Sequence, residues 1–295
     1  MPRAIVSVII PTYNQADYLS EALNSLLSQS FKLWEAFVVD NYSDDHTATV
    51  LASFNDSRIK TIQYSNNGII AASRNIALKM SKAPFIAFLD SDDTWTSEKL
   101  SKCLKILGEG FDLVCHGEAW VENGSKTRHV LYGPATLATY EKLLFSRNCI
   151  STSAVVLSRD FLKKVGLFCE SKEFVTAEDY DLWLRLARGG AKITFLNEIL
   201  GEYRVHSDSN SAKPLRNMRA IQAVFQHHLL TMSLKPSWWH VRRRSSLIYY
   251  EGARSLQKNG NFSRAYYYFF KSVISFPFCA RCWVGLCSNL FKFNY

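Results

Sequence analysis

Apolar residues in the first hundred positions gather into short continuous runs, and the stretches between them carry helical spacing. The runs predict strands over 4–10, 34–40, 59–64 and 84–90, alternating with helices over 16–29, 45–54 and 69–81. Runs without polar alternation are what strands covered on both faces require. The alternation therefore predicts an α/β fold with a parallel sheet and right-handed crossovers. The middle is less regular, with strands expected at 112–121, 152–158 and 192–197 and helices at 139–146, 159–165 and 178–188. After about residue 213 the pattern becomes wholly helical. There, 246–276 reads as a helix pair built on Ala253, Leu256, Gly260, Ala265 and Phe269, similar to one tetratricopeptide-type unit. Two domains are expected, 1–213 and 214–295.

Charge reinforces that division. The chain of 295 residues has a formal charge of +9, yet 214–295 holds 12 of the 35 Lys and Arg and a single acid, Glu251. Seven cysteines lack the spacing of a disulfide scaffold, so a reducing compartment is expected. Cys279, Cys282 and Cys287 approach a zinc spacing but have no second ligand pair nearby. No secretory signal is expected at the N-terminus. The longest apolar stretch, Phe276 to Phe293, is broken by Arg281, Asn289 and Lys292 and falls short of the ~20 residues a spanning helix needs.

The predicted fourth strand runs directly into Asp90-Ser91-Asp92-Asp93. Ligands of open α/β sheets bind beyond the C-terminal strand ends, so Asp90 and Asp92 are delivered to a ligand. Adjacent carboxylates repel one another, and a hard divalent cation that also bridges substrate phosphates relieves the repulsion. An acidic turn capping the next helix is the plainer alternative.

Five segments in order resemble the family 2 nucleotide-sugar glycosyltransferases of bacterial polysaccharide type. Their fold is GT-A, a Rossmann-like, mostly parallel central sheet flanked by helices, here with a C-terminal helical extension. Val6 to Ile10 followed by Pro11-Thr12-Tyr13-Asn14 resembles the opening strand and the turn that touches the nucleobase, Pro11 being expected to end the strand. Asp40 matches the Asp that accepts a hydrogen bond from the base. Asn41-Tyr42-Ser43-Asp44-Asp45 then departs from the usual Asp-Gly-Ser-x-Asp. Asn67-Gly68 through Arg74-Asn75 resembles the Gly-containing loop and helix, with Arg74 placed to pair with the diphosphate. By resemblance Asp92 binds Mn²⁺ or Mg²⁺, Asp90 meets ribose or the metal's waters, and Ser91 lies between them. Glu178-Asp179 resembles the Glu-Asp motif at the head of a helix, with Asp179 as base toward the acceptor hydroxyl and Glu178 at the nucleotide sugar. Trp183, four residues on, either packs under the acceptor sugar or fills the core. Tyr203-Arg204-Val205-His206 with Ser207 to Ser211 matches the Tyr-Arg-x-His segment, whose His206 meets the diphosphate or completes the metal shell.

The resemblance implies an inverting, metal-dependent hexosyl- or N-acetylhexosaminyltransferase. Its donor would be a nucleotide-diphosphate sugar, UDP-linked by expectation, and its acceptor a glycan or lipid-linked hydroxyl in cell-surface polysaccharide assembly. Trp238, Trp239, Arg242-Arg243-Arg244 and Tyr266 to Phe270 suit an anionic membrane surface, which would put the enzyme in the cytoplasm at the inner face of the plasma membrane. No nucleic-acid recognition motif is present. Two competitors stand beside this reading. One is a haloacid-dehalogenase-like phosphatase with Asp90 as nucleophile, although three strand–helix units precede its motif. The other is a sugar-nucleotide binder without turnover.

Overall fold

The computed structural model describes residues 3–122, 124–206 and 213–292. Its chain forms two compact units. The first holds the residues up to Tyr140 together with Cys149–Glu170 and Leu182–His206; the second holds Glu141–Asn148, Ser171–Asp181 and the described residues 213–292. This division differs from the expected boundary at 213, because two internal segments group with the C-terminal helices.

In the first unit β1 (Val6–Thr12), β2 (Trp34–Asp40), β3 (Ile59–Gln63) and β4 (Phe85–Phe88) pair in parallel in the order β3-β2-β1-β4. Val and Ile dominate β1, which is buried along its whole length, as a strand covered on both faces must be. Helix α1 (Ala16–Leu27) turns Leu19, Ala22, Leu23 and Leu26 into the core on helical spacing. Helices α2 (Thr47–Ser53) and α3 (Ile70–Met80) complete the crossovers. Contrary to expectation, β1 continues through Pro11 to Thr12. Ile9 accepts from Leu89 on the β4 side, where the pairing stops at Ile9 and Phe88, so Pro11 faces that side beyond its end and its missing N–H removes no ladder bond.

Past β4 the sheet becomes mixed. The two-residue β5 (Thr94–Trp95) leads to α4 (Lys99–Gly108) and the long β6 (Leu113–Glu122), with β7 (Ser125–Val130) folded back on β6. After α5 (Tyr140–Phe145), the antiparallel β8 (Val155–Ser158) slots between β4 and β6. Ser158 then caps α6 (Arg159–Val165), which stops at Gly166 with φ of 88°. The last strand, β9 (Ile193–Val205), pairs in parallel with β6 and antiparallel with β5.

One buried polar cluster sits under this sheet. Lys99 is fully buried, its ammonium 3.3 Å from the centre of the Trp95 ring, and burial pulls its pKa down to about 7. Glu118 on β6 is buried too and accepts a 2.6 Å bond from the Tyr132 hydroxyl; burial pushes its pKa up to about 7.

The second unit is helical, with α7 (Glu178–Arg188) contributing only its first turn. It contains α8 (Pro214–Leu230), α9 (Trp238–Lys258), α10 (Phe262–Ser275) and α11 (Ala280–Leu290). Its core is Ala253, Leu256, Ala265, Phe269, Val273, Cys282 and Leu286. Gly285 lets α11 approach so closely that a Cβ there would meet the Phe269 ring at 2.5 Å. Cys282 belongs to that core and Cys279 packs against it, whereas Cys287 is exposed, and no cluster of metal-ligating side chains occurs among the described residues. No helix among the described residues is long and apolar enough to cross a membrane.

A folded-state pKa near 7 at Lys99 lies below the ~10.4 of a free lysine, so the unfolded chain binds the extra proton between those values. Stability contributed by this group therefore rises as pH increases from 7 toward 10. The Lys99→Met variant is expected to melt higher than the parent at pH 6 and to lose that alkaline rise; circular-dichroism melts at pH 6 and 9.5 read both.

Candidate active site

The parallel register brings the C-terminal ends of β1, β2 and β4 to one edge. Thr12 lies opposite Asp40, and β4 ends two residues before Asp90. Because β2 flanks β1 on one side and β4 on the other, this edge is a topological switch point, where ligands of such sheets bind.

Asp40 is buried, and one oxygen accepts from Ser43 twice, from the backbone N–H at 3.1 Å and the hydroxyl at 2.6 Å. The second oxygen makes no hydrogen bond among the described residues and remains available as an acceptor. Beside it the buried Thr12 hydroxyl also lacks a partner among them. Asn14 stitches this turn to the loop after β2, donating its N–H to the Ser43 hydroxyl at 2.9 Å and accepting from Asp44 at 2.9 Å. Tyr42 stands where the resembled motif has glycine and takes the left-handed φ of 55° that glycine would supply. Its ring and that of Tyr13 are 59% and 54% exposed, so two tyrosines flank Asp40 at this edge.

The next loop is set by Asn66, which binds the Asn41 side chain, the Ser73 hydroxyl and the Gly68 N–H. Gly68 has φ of 76° with open space around its missing Cβ, so backbone conformation is what requires glycine there. Helix α3 then buries Arg74, whose guanidinium donates to Asp90 at 2.7 Å and lies over the Phe168 ring. The guanidinium that the resemblance assigns to the diphosphate thus sits beside the Asp-x-Asp pair, held on Asp90.

Asp90 is further fixed by its N–H on the Ser153 hydroxyl, and the buried Ser91 donates to Gln15. Asp92 meets His206 across 114 residues, imidazole Nε2 to Oδ2 at 3.0 Å, both side chains mostly buried. The β5–β9 pairing makes this contact, because Thr94 opposite Glu202 and Trp95 opposite Gly201 align the two segments. Tyr18 packs against the imidazole at 5.1 Å, and the Arg204 N–H binds Asp93 at 3.0 Å. Burial, then the carboxylates of Asp92, Glu118 and Asp90, push the buried Asp93 carboxyl well above the usual range. Asp93 and Glu118 were not among the expected site residues. An acidic run continuing past the Asp-x-Asp pair was the available signal for the first; nothing local marks the second.

This donor set fits a hard cation. The carboxylates of Asp92, Glu118 and Asp90 raise the charging cost of Asp93, and Asp92 with His206 offers an oxygen and a nitrogen at the open strand end. Among the described residues no three His, Cys, Asp or Glu side chains are grouped to hold a metal ion by themselves. Ser207 to Ser211 lie outside the described residues.

Glu178 and Asp179 open α7 in the second unit. Glu178 accepts the Thr176 N–H at 2.9 Å, and Asp179 accepts the N–H of Tyr180 at 2.7 Å. Thr176 holds φ of 89°, a costly conformation for a β-branched residue and one that clusters at functional sites. Asp181, one turn in, is buried against His228 at 3.0 Å, anchoring α7 to α8. Trp183 is a correction: it is fully buried, with Phe88 6.4 Å away, so its indole fills the core and is closed to an acceptor.

With this geometry in place, comparison with known proteins is direct. The sequence profile described as "Glycosyl transferase family 2" matches residues 7–166. The chain is 34% identical over 222 residues to the Escherichia coli UDP-Glc:alpha-D-GlcNAc-diphosphoundecaprenol beta-1,3-glucosyltransferase WfgD, covering 74% of this chain and 84% of that protein. It is 29% identical over 256 residues to the Bacillus subtilis putative teichuronic acid biosynthesis glycosyltransferase TuaG, covering 83% and 97%. Among solved structures, S. aureus TarS 1-349 in complex with UDP-GlcNAc superposes with a TM-score of 0.67 at 20% identity, covering 97% of this chain and 87% of that one. The mannosyltransferase PcManGT from Pyrobaculum calidifontis, in complex with GDP-Man and Mn²⁺, superposes with a TM-score of 0.64 at 17% identity, covering 98% and 86%. An Asp-x-Asp pair at a parallel-sheet switch point, an N-terminal profile match and two relatives matched over most of their length agree: the chain is a glycosyltransferase of GT-A fold and belongs to glycosyl transferase family 2.

Proposed function

We propose that this glycosyltransferase moves a hexose or N-acetylhexosamine from a UDP-sugar to a hydroxyl of a lipid-linked glycan, inverting the anomeric centre, in cell-surface polysaccharide assembly. The observation that carries the reading is the His206–Asp92 pair, set at a strand end with the open oxygen of Asp40 on the same sheet edge. The acceptor class follows the glucosyltransferase relative, which is named for a diphosphoundecaprenol-linked substrate, and the uridine follows that relative and the UDP-GlcNAc complex.

In this reading Asp40 accepts the uracil imide N–H, and Thr12, Tyr13 and Asn14 shape the base pocket with Pro11 beneath them. Gly68 opens the loop beside the nucleotide. Arg74 holds Asp90 in one orientation for the ribose, with Ser91 fixed by Gln15 between the two acids. Asp92 and His206 would hold Mn²⁺ or Mg²⁺, which when bound supplies positive charge against the departing diphosphate. Glu178 braces the Thr176 turn, and Asp179 takes the acceptor hydroxyl's proton as that oxygen attacks the anomeric carbon. Donor and acceptor held in line need no covalent intermediate.

The second unit supports a membrane-surface location. Trp238, Trp239 and Phe278 are 58%, 50% and 73% exposed, and the two indoles meet edge to face at 4.9 Å. Phe278 lies 5.5 Å from Trp239, and Arg242 sits over Trp238. Aromatic rings beside a cation suit the headgroup level of an anionic bilayer. The Arg242-Arg243-Arg244 run is only partly surface. Arg244 is buried on the Ser146 carbonyl, and Arg242 also donates to the carbonyls of Ile274 and Ser275 at the end of α10.

Three measurements test this. Asp179→Asn should lower turnover by about 10²–10⁴ with UDP-sugar affinity unchanged by calorimetry, and normal turnover would remove Asp179 as base. Mn²⁺ should tighten UDP binding to the parent, and Asp92→Asn should lose that gain while keeping metal-free affinity; an equal gain in the variant rejects the metal assignment. The triple variant Trp238→Ala, Trp239→Ala, Phe278→Ala should float poorly with phosphatidylglycerol liposomes where the parent floats well, and equal flotation would displace the patch.

A further inference from the structure

Two adjoining cavities in the second unit share Leu215 and Arg219 of α8. One, about 550 Å³, lies between α8 and α10 and is walled by Arg219, Arg264 and the paired Tyr267 and Tyr268. The other, about 660 Å³, lies between α8 and the Lys172–Val175 turn and is walled by Lys172, Arg216 and Arg219, with Gln222 and Gln226 along its floor. Arg219 stands on the ridge between them. The result is a trough with three guanidiniums and an ammonium along it, and Glu173 is the one carboxylate in its walls.

These arginines are unlike two of those in the run at 242–244. Arg242 and Arg244 are spent on backbone carbonyls. The side chains of Arg216, Arg219 and Arg264 make no ion pair or hydrogen bond among the described residues, and all three are exposed. A concave surface carrying several uncompensated guanidiniums repels itself and is relieved by an anion with several oxygens, which guanidinium forks bind in pairs. The first turn of α8 adds the positive end of a 17-residue helix to the same place. The phenols of Tyr267 and Tyr268 supply neutral donors and flat apolar faces.

The trough is also tied to the catalytic turn. Its Lys172–Val175 wall runs straight into Thr176, and the Thr176 hydroxyl reaches the Asn217 side chain of α8 at 3.4 Å. Asp179 is four residues beyond Val175, so the two are at most roughly 14 Å apart along the chain. One acceptor molecule could therefore meet both, with its nucleophilic hydroxyl at Asp179 and its phosphates in the trough.

We propose that this trough, with Arg216, Arg219, Arg264 and Lys172, binds the phosphate or diphosphate ester of the acceptor. The assignment rests on the reading of Asp179 as the base that faces the acceptor. It adds a requirement that reading lacks: the acceptor must be an anion at the end that bears its sugar.

Full-length protein in EDTA, which removes metal-dependent anion binding at the Asp92 end, is titrated calorimetrically with farnesyl diphosphate, with farnesol as the uncharged control. Phosphatidylglycerol vesicles are the bilayer-anion control. The parent should bind the diphosphate and not farnesol. Arg219→Gln and Arg264→Gln should each weaken binding about tenfold while UDP affinity stays at the parent's value. Arg219→Lys, which keeps the charge and loses the fork, should fall between. Equal affinity of parent and Arg219→Gln for the diphosphate, or farnesol bound as tightly, overturns the proposal. So does a loss in Arg219→Gln that appears only with phosphatidylglycerol vesicles, which would make the trough a bilayer contact. Asp179→Asn should bind farnesyl diphosphate as the parent does, so a failed base assignment would show in turnover without moving this titration.

Discussion

The pairing of β9 with two partners at once is the constraint on which the first unit's chemistry depends. Parallel to β6 and antiparallel to β5, it carries the residues just after it back to a turn more than a hundred positions earlier. Without the two bridges at Thr94 and Trp95, His206 has nothing to align it with Asp92. The strand manages both partners by an irregularity. Its register against β6 shifts at Gly117, where Asn197 and Glu198 drop out of the ladder, and Gly201 presents no side chain to the His116 ring. A β-bulge of this kind re-aims a strand, and bulges are common beside active sites.

The same region concentrates charge in a way a stable core would not choose. Burial raises the protonation of Asp93 and Glu118, helped at Asp93 by the carboxylates of Asp92, Glu118 and Asp90 and at Glu118 by Asp90, while burial pulls Lys99, the nearby cation, down to about 7. The Arg204 N–H and the Ser153 hydroxyl on Asp93, and the Tyr132 hydroxyl on Glu118, satisfy two of these acids without discharging them. Such an arrangement is destabilising unless a cation or a cationic phase of the reaction uses it. The Arg74–Asp90 pair relieves part of it, and by occupying an oxygen of Asp90 it also disfavours that residue as a free phosphoryl-accepting nucleophile.

Legibility from sequence tracked how local each feature is. The β2 strand and the helices over 159–165 and 178–188 stand where apolar spacing put them, since their runs are uniform and their ends are marked by Asp40, Ser158 and Gly166. What the pattern could not show depends on distant partners. β5 is two residues long and exists only as a pairing with β9. β9 looked like two pieces because exposed Asn197 and Glu198 interrupt its apolar pattern. Pro11 looked like a strand end because sequence does not reveal that β4 has already stopped beside it. Arg74 could be recognised as important, yet its partner Asp90 is a tertiary choice, and Trp183 shares a helical spacing with Asp179 without sharing its exposure.

Net charge concealed a division of labour in the C-terminal helices. The excess of arginine there was a single compositional signal, compatible with a surface that meets any anion. In the folded unit it separates by what each side chain already holds. Arg244 and Arg242 close carbonyls at Ser146, Ile274 and Ser275, so replacing either would loosen helix ends before it changed any binding. Arg216, Arg219 and Arg264 close nothing among the described residues and surround a concavity. The exposed rings occupy a different stretch, Trp238 and Trp239 at the start of α9 and Phe278 in the turn before α11, with Arg242 over Trp238. An edge of rings suits a bilayer surface, and a trough of guanidiniums suits a discrete headgroup. An enzyme whose acceptor has a lipid end and a phosphate end needs both, and mass action makes the two contacts reinforce each other once they are linked through one molecule.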